Sequence, residues 1–208
     1  MKVLVTGSSG FIGRWLLNLL IKKNIDAIGL DVVCNPDKSL VKVCSIINIL
    51  DYDKLSHFIV LHQPSVIIHL AARCDLLGTC LDDYDANIRG VLNLCNIILA
   101  NQCIKKVIFT SSQLVCRVGH IPIDYDSYCP NTIYGESKVL GEKIVKRNDG
   151  GNVNWCITRP TTVWGPQMGT HYQSLLSHII NGTYFHSGKA PLFKSYSYIE
   201  NIVYQYYQ

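Results

Sequence analysis

Two hydrophobic spacings alternate along the chain. Short runs rich in Val, Ile and Leu fall at 3–6, 25–30, 41–47, 66–70 and 106–110, and with the mixed run at 154–158 they read as strands. Between them lie segments whose apolar residues recur every third or fourth position. Phe11, Ile12, Trp15, Leu16, Leu19 and Leu20 form the first, and similar patterns predict helices over 52–61, 86–100 and 133–147. Lys22-Lys23-Asn24 suits the C-terminal end of the first helix. Strands that are apolar on both faces and alternate with helices predict a mainly parallel sheet covered on two sides, wound with right-handed crossovers. After Arg159 the alternation gives way to Gly, Pro, Thr, His and Tyr, and the spacing predicts only a helix over 172–181. This divides the chain into a main unit, 1–165, and a short following region, 166–208, too small for a core of its own.

Composition agrees with one folded core: of 208 residues, 48% are apolar and 16% charged, too little charge for a disordered scaffold. The net charge of +4 is spread without a run of like charges, so no nucleic-acid footprint is expected. No apolar stretch approaches the length needed to span a bilayer, and the N-terminal run is too short for a secretory signal. Nine cysteines, an odd number without a C-x-x-C pair, argue against a disulfide framework or a zinc site. Cys44, Cys95 and Cys156 sit in apolar stretches and read as buried thiols. A cytoplasmic location and no metal are the expectation.

The first strand runs into Gly7-Ser8-Ser9-Gly10-Phe11-Ile12-Gly13, which opens the first helix. Glycines at this spacing permit a sharp turn, a close backbone approach to a pyrophosphate, and tight seating of the helix on the sheet. The helix N-terminus then favours an anion without any lysine. Asp31 closes the second strand, eighteen residues beyond Gly13. A carboxylate there accepts the hydroxyls of an adenosine ribose and repels a 2′-phosphate, which favours NAD over NADP. Tyr134 and Lys138, four apart on a predicted helix, project from one face. An ammonium beside a phenol favours the phenolate, and so makes a base for neutral pH.

These motifs together resemble the extended short-chain dehydrogenases, and within them the NAD-dependent nucleotide-sugar epimerase/dehydratase group. Thr6 to Gly13 is similar to that family's cofactor loop, His69-Leu70-Ala71-Ala72 to its fourth-strand motif, and Tyr134-Gly135-Glu136-Ser137-Lys138 to its catalytic Tyr-x-x-x-Lys. Arg159-Pro160-Thr161-Thr162-Val163-Trp164-Gly165-Pro166 matches its strand and turn after the catalytic helix, and Asn87 falls where the family keeps an asparagine. The resemblance implies a Rossmann-type doubly wound α/β sheet with a truncated C-terminal substrate-binding part, because members of the group are much longer. It implies NAD as cofactor and a nucleotide-sugar as substrate.

By the same resemblance the catalytic set is Ser112, Tyr134 and Lys138. The cofactor would meet Gly7, Gly10, Phe11, Ile12, Gly13, Asp31, Asn48, Ile49, Leu70, Ala71, Ala72, Asn87, Thr110, Tyr134, Lys138 and Pro160. Arg73, Ser112 and Thr162 would meet the substrate, and His69 reads as structural. The family's dehydratases carry an Asp-Glu pair after the catalytic hydroxyl; here Gln113-Leu114 stand there, which disfavours dehydration. The expected reaction is oxidation and reduction at one sugar carbon, as in 4-epimerisation. A net dehydrogenase or ketoreductase would use the same residues, and a short form could bind NAD without turnover. Cys116 replaces the tyrosine usual after the serine strand. Related proteins dimerise through helices near 90–100 and 135–147, although those apolar faces equally serve a monomer's core.

Overall fold

The computed structural model describes residues 1–185 and 195–208. Strands β1 (Lys2–Thr6), β2 (Asp26–Asp31), β3 (Cys44–Ile46), β4 (Val66–His69), β5 (Lys106–Thr110) and β6 (Asn154–Thr158) form one parallel sheet in the order β3-β2-β1-β4-β5-β6. This is the Rossmann order, and it reverses between β1 and β4, where such sheets open a ligand crevice at the strand C-termini. Thr6 and His69 are register partners at that opening.

The helices are α1 (Phe11–Lys22), α2 (Tyr52–His62), α3 (Asp85–Leu99), α4 (Ile133–Arg147), a single left-handed turn α5 (Asp149–Asn152), α6 (Thr170–Ile180) and α7 (Ile199–Tyr207). Alternating strand residues feed two cores. Leu4, Ile67 and Val107 face α2, α3 and α4; Val3, Val5, Ile68 and Ile108 face α1 and α7. In α1, Gly13, Leu16, Leu17 and Leu20 are the buried stripe, and in α7 it is Ile199, Ile202, Val203 and Tyr206. Each fully buried aliphatic of this kind contributes roughly 1.5–3 kcal/mol relative to exposure. Residues 199–207, which the sequence groups with the region beyond 165, therefore pack into the main sheet. No helix among the described residues is long and apolar enough to cross a membrane.

Three local departures from the sequence pattern have physical causes. The apolar run 41–47 is strand only over Cys44–Ile46, because the chain from Asp37 turns through Leu40 into a 3-10 segment, Val41–Val43. A two-stranded parallel pair, β7 (Thr162–Trp164) with β8 (Tyr196–Tyr198), has no pattern of its own at three residues per strand. Cys156 is exposed, since β6 is an edge strand, while Cys95 is buried and Cys44 half-buried. All nine cysteines are free thiols.

Candidate active site

The loop between β1 and α1 is fixed by its backbone. Gly7 has φ +69°, and a Cβ there would lie 2.6 Å from the Ala71 amide nitrogen, so the turn and its approach to β4 both need glycine. Gly10 differs: a Cβ on it would meet only the Gly7 carbonyl, at 3.2 Å, and otherwise open space. Helix α1 then starts with no side-chain cap and no acidic residue in its first turn. The Ser9 amide donates to Asp31 Oδ2 at 2.9 Å and the Val32 amide to Oδ1 at 2.7 Å, which aims the Asp31 carboxylate at the loop. Asn48 is exposed and its Oδ1 accepts from the Leu50 amide, whereas Ile49 is buried in the core against α3.

Across the opening, α4 carries the predicted base. Thr132 caps it, its hydroxyl accepting from the Gly135 amide at 3.0 Å. The first turn presses against the 3-10 turn that follows Ser112: a Cβ on Gly135 would sit 2.3 Å from the Leu114 carbonyl. That contact brings Tyr134 and Ser112 to the same end of the sheet. Ser112 Oγ accepts from the Leu114 amide at 3.1 Å and keeps its own hydrogen to donate. Tyr134 is buried, with its ring 6.0 Å from that of Tyr84.

Lys138 is buried too, at 7% exposure, and its Nζ donates to the Thr110 carbonyl at 3.0 Å. Burial pushes its ammonium down from the ordinary 10.5 to about 8, and the nearby Cys74 and Glu142 oppose that fall. Beside it, His69 is enclosed. Its Nδ1 pairs with Thr6 Oγ1 at 2.8 Å, and burial together with the Lys138 charge lowers it to about 3, so it stays neutral. Leu70 packs into the α1 core, and the Ala71 amide donates to Thr6 Oγ1.

Other predicted residues take supporting places. Asn87 spends both amide hydrogens internally, on the Arg73 carbonyl and Ser137 Oγ, and accepts from the Arg73 amide. It thereby joins the loop after β4 to α4. Arg73 lies bidentate on Asp75, donates to the Asp83 carbonyl and covers the Tyr84 ring at 5.2 Å. The Pro160 carbonyl accepts from the Gln113 amide, and Thr162 lies in β7. Behind the site, Glu142 receives a bidentate Arg159 at 2.8 and 2.6 Å and the Tyr128 hydroxyl at 2.9 Å. Burial pushes the Glu142 carboxyl up, but these donors outweigh it and hold it below the usual range.

The profile of the NAD dependent epimerase/dehydratase family matches residues 3–195. The chain belongs to that family. Its cofactor is NAD, and the cradle is compatible with one: open space at Gly10, an uncapped helix start and an aimed carboxylate at Asp31. Among curated relatives, a putative UDP-glucose 4-epimerase of Methanocaldococcus jannaschii is 30% identical over 175 residues, 78% of this chain and 56% of that protein. A 3 beta-hydroxysteroid dehydrogenase/Delta 5-->4-isomerase of Vaccinia virus (strain Western Reserve) is 32% identical over 183 residues, 77% of this chain and 52% of that one. The chain thus spans about half the length of the curated relatives it matches. The fold matches the crystal structure of a UDP-glucose 4-epimerase of Thermus thermophilus in complex with NAD. The TM-score is 0.82 at 20% identity, over all of this chain and 73% of that one.

In this family member, sequence reasoning passed over Tyr84, which backs Tyr134, and the Glu142–Arg159 pair. The second carried a signal, since Glu142 stands one helical turn beyond Lys138 on the same face. Tyr206 was also missed; its hydroxyl lies 2.7 Å from Thr110 Oγ1, from an element 96 residues away.

Proposed function

We propose that the chain catalyses NAD-dependent oxidation and reduction at a ring hydroxyl of a nucleotide-sugar, most simply 4-epimerisation through a transient 4-keto sugar. One observation supports the reading: the first turn of α4, which bears Tyr134, presses on the turn after Ser112, and one turn further on the Lys138 ammonium donates to the Thr110 carbonyl at the C-terminal end of β5. Bound NAD supplies an acceptor for the hydrogen and electron pair that leave the sugar carbon. Gly7, Gly10, Phe11, Ile12 and Gly13 would hold its diphosphate and Asp31 its adenosine ribose. Asn48 and the backbone of Ile49, whose side chain is in the core, would flank the adenine, with Leu70, Ala71, Ala72, Thr110 and Pro160 along the groove and Asn87 fixing its wall. Tyr134 takes the hydroxyl proton as the carbonyl forms, Lys138 keeps the phenolate paired with a positive charge, and Ser112 donates to the reacting oxygen. Rotation of the keto sugar presents its other face; the hydrogen and electron pair would then return to that face of the carbon as Tyr134 returns the proton to the oxygen, which completes the epimerisation. Arg73 and Thr162 would stand on the substrate side.

A second reading, a net dehydrogenase acting on an apolar ring alcohol, has its own support. Arg73 is already committed to Asp75 and Asp83, and the loops after β4 and β5 present Leu76, Leu77, Val118, Ile121, Ile123 and Tyr125 largely exposed. Exposed apolar side chains on these loops suit an apolar substrate better than a diphosphate, and the Vaccinia virus relative is named as a hydroxysteroid dehydrogenase. The test is incubation with NAD and, separately, UDP-, GDP- and dTDP-sugars and a 3-hydroxysteroid, following sugar products and NADH. An epimer without net NADH supports the first reading; NADH from the steroid supports the second. Tyr134→Phe should lower either rate by about 10²–10⁴-fold. Tight NAD binding with no turnover on any substrate refutes both and leaves a non-catalytic NAD-binding protein.

A further inference from the structure

Helix α7 reaches the catalytic machinery from behind the sheet. Thr110 and Thr158 are register partners at the C-terminal ends of β5 and β6. The Tyr206 hydroxyl sits between them, 2.7 Å from Thr110 Oγ1 and 2.8 Å from Thr158 Oγ1. Its ring is buried in the core that α7 shares with α1. Thr110 is also the residue whose carbonyl holds Lys138 Nζ. A phenol in this place donates to one threonine and accepts from the other, closing a bridge across two strands. Burial pushes the Tyr206 phenol above its ordinary 10, so it remains a neutral bridge at working pH.

We propose that Tyr206 is a positioning residue, which clamps Thr110 against Thr158 so that the Thr110 carbonyl is held where the Lys138 ammonium needs its acceptor. The inference rests on the reading above that a protonated Lys138 assists Tyr134. A charged hydrogen bond in a dry site depends steeply on geometry, and Lys138 has little else to favour its charge. The other ionisable groups near it are Tyr134 one turn before it on its own helix, Cys74 after β4, His69 on β4, and Glu142 one turn after it, the last paired with Arg159. The Tyr206 hydroxyl is bonded to the two threonines and to none of these groups, so removing it perturbs Lys138 through Thr110.

The experiment is Tyr206→Phe, with Lys138 followed by NMR in protein labelled at lysine Cε and its signal assigned by its absence in Lys138→Met. The Lys138 midpoint, about 8 in the unsubstituted protein, should move down by about 0.7 pH unit, the equivalent of a charged hydrogen bond weakened by roughly 1 kcal/mol. The alkaline limb of NAD-dependent turnover should move with it, while KM changes less than about twofold. Tyr204→Ala, on the exposed side of α7, should leave both unchanged. If Tyr206→Phe fails to fold, Thr158→Val breaks one arm of the bridge and should give the same shift at smaller size. An unmoved Lys138 midpoint in a folded variant overturns the proposal. A shifted midpoint in a protein that turns over no substrate sinks the enzymatic reading instead and leaves the positioning intact.

Discussion

Lys138→Met separates the cost of the buried charge from its use. Lys138 titrates at about 8 in the folded protein and near 10.5 in the unfolded chain. Below pH 8 both states are protonated, and burying the ammonium opposes folding by the full difference, about 3 kcal/mol. Between pH 8 and 10.5 the folded state binds fewer protons than the unfolded one, so the wild-type protein gains stability from this group as pH rises. Methionine has a similar shape and no charge, but it leaves the Thr110 carbonyl without its donor, at about 1 kcal/mol. The variant should therefore be about 2 kcal/mol more stable than wild type at pH 7, and should lose that advantage by pH 10. Urea unfolding of both proteins at matched pH values measures the difference, a midpoint shift of about 1 M at pH 7 for a slope of roughly 2 kcal/mol/M. Turnover should be abolished in the same variant. A variant less stable than wild type at pH 7, or a difference that does not change with pH, would refute the assignment of a strained buried ammonium.

Gly7→Ala should weaken NAD binding by at least about tenfold and cost about 2 kcal/mol, since the residue combines φ +69° with a Cβ position 2.6 Å from the Ala71 amide. Calorimetry with NAD and thermal unfolding check it, and wild-type values in both would contradict the account of the loop. His69→Phe should flatten the acid side of the stability curve. Wild-type His69 stays neutral to about pH 3 while the unfolded chain protonates near 6.5, so folding loses up to about 1.4 kcal/mol per pH unit on descending through that window. A wild-type-minus-variant difference that is constant from pH 6.5 to 4 would show that His69 is not enclosed.

The central elements were legible because each has enough length to display its period. Helix α1 repeats its apolar stripe over twelve residues, and β5 and β6 have the bounds that the sequence indicates. The run at 41–47 misled because Val41 and Val43 have the side chains of a strand, whereas the turn that starts at Asp37 decides their backbone. Helix α7 had its signal in plain view: Ile199, Ile202, Val203 and Tyr206 follow the i, i+3, i+4, i+7 rule. Nine residues with several tyrosines give that rule little weight unless a waiting apolar face is known, and the face left by β4 and β5 is knowable only from the fold. The pair β7 and β8 is the limiting case, two three-residue strands whose pairing depends on the path of everything between them.

The site divides along the same line. Spacing identifies Tyr134 and Lys138, because four residues on a helix is a local relation; what tunes them is not local. The acceptor for Lys138 is a backbone carbonyl, which no residue identity can announce. Arg73 looks like a free cation for a substrate phosphate until Asp75 and Asp83 are seen to hold it. Asn87 looks like a cofactor ligand until both of its amide hydrogens are found on Arg73 and Ser137. A motif therefore names the chemical groups, while the long-range contacts decide which of their donors and charges remain available for a ligand. Substrate preference is decided at that second level too: the residues that match the family's motifs are local, whereas the commitment of Arg73 and the exposure of Leu76, Leu77, Ile121 and Ile123 emerge only from the folded loops. An activity panel that includes both substrate classes is thus a test of which level governs specificity here.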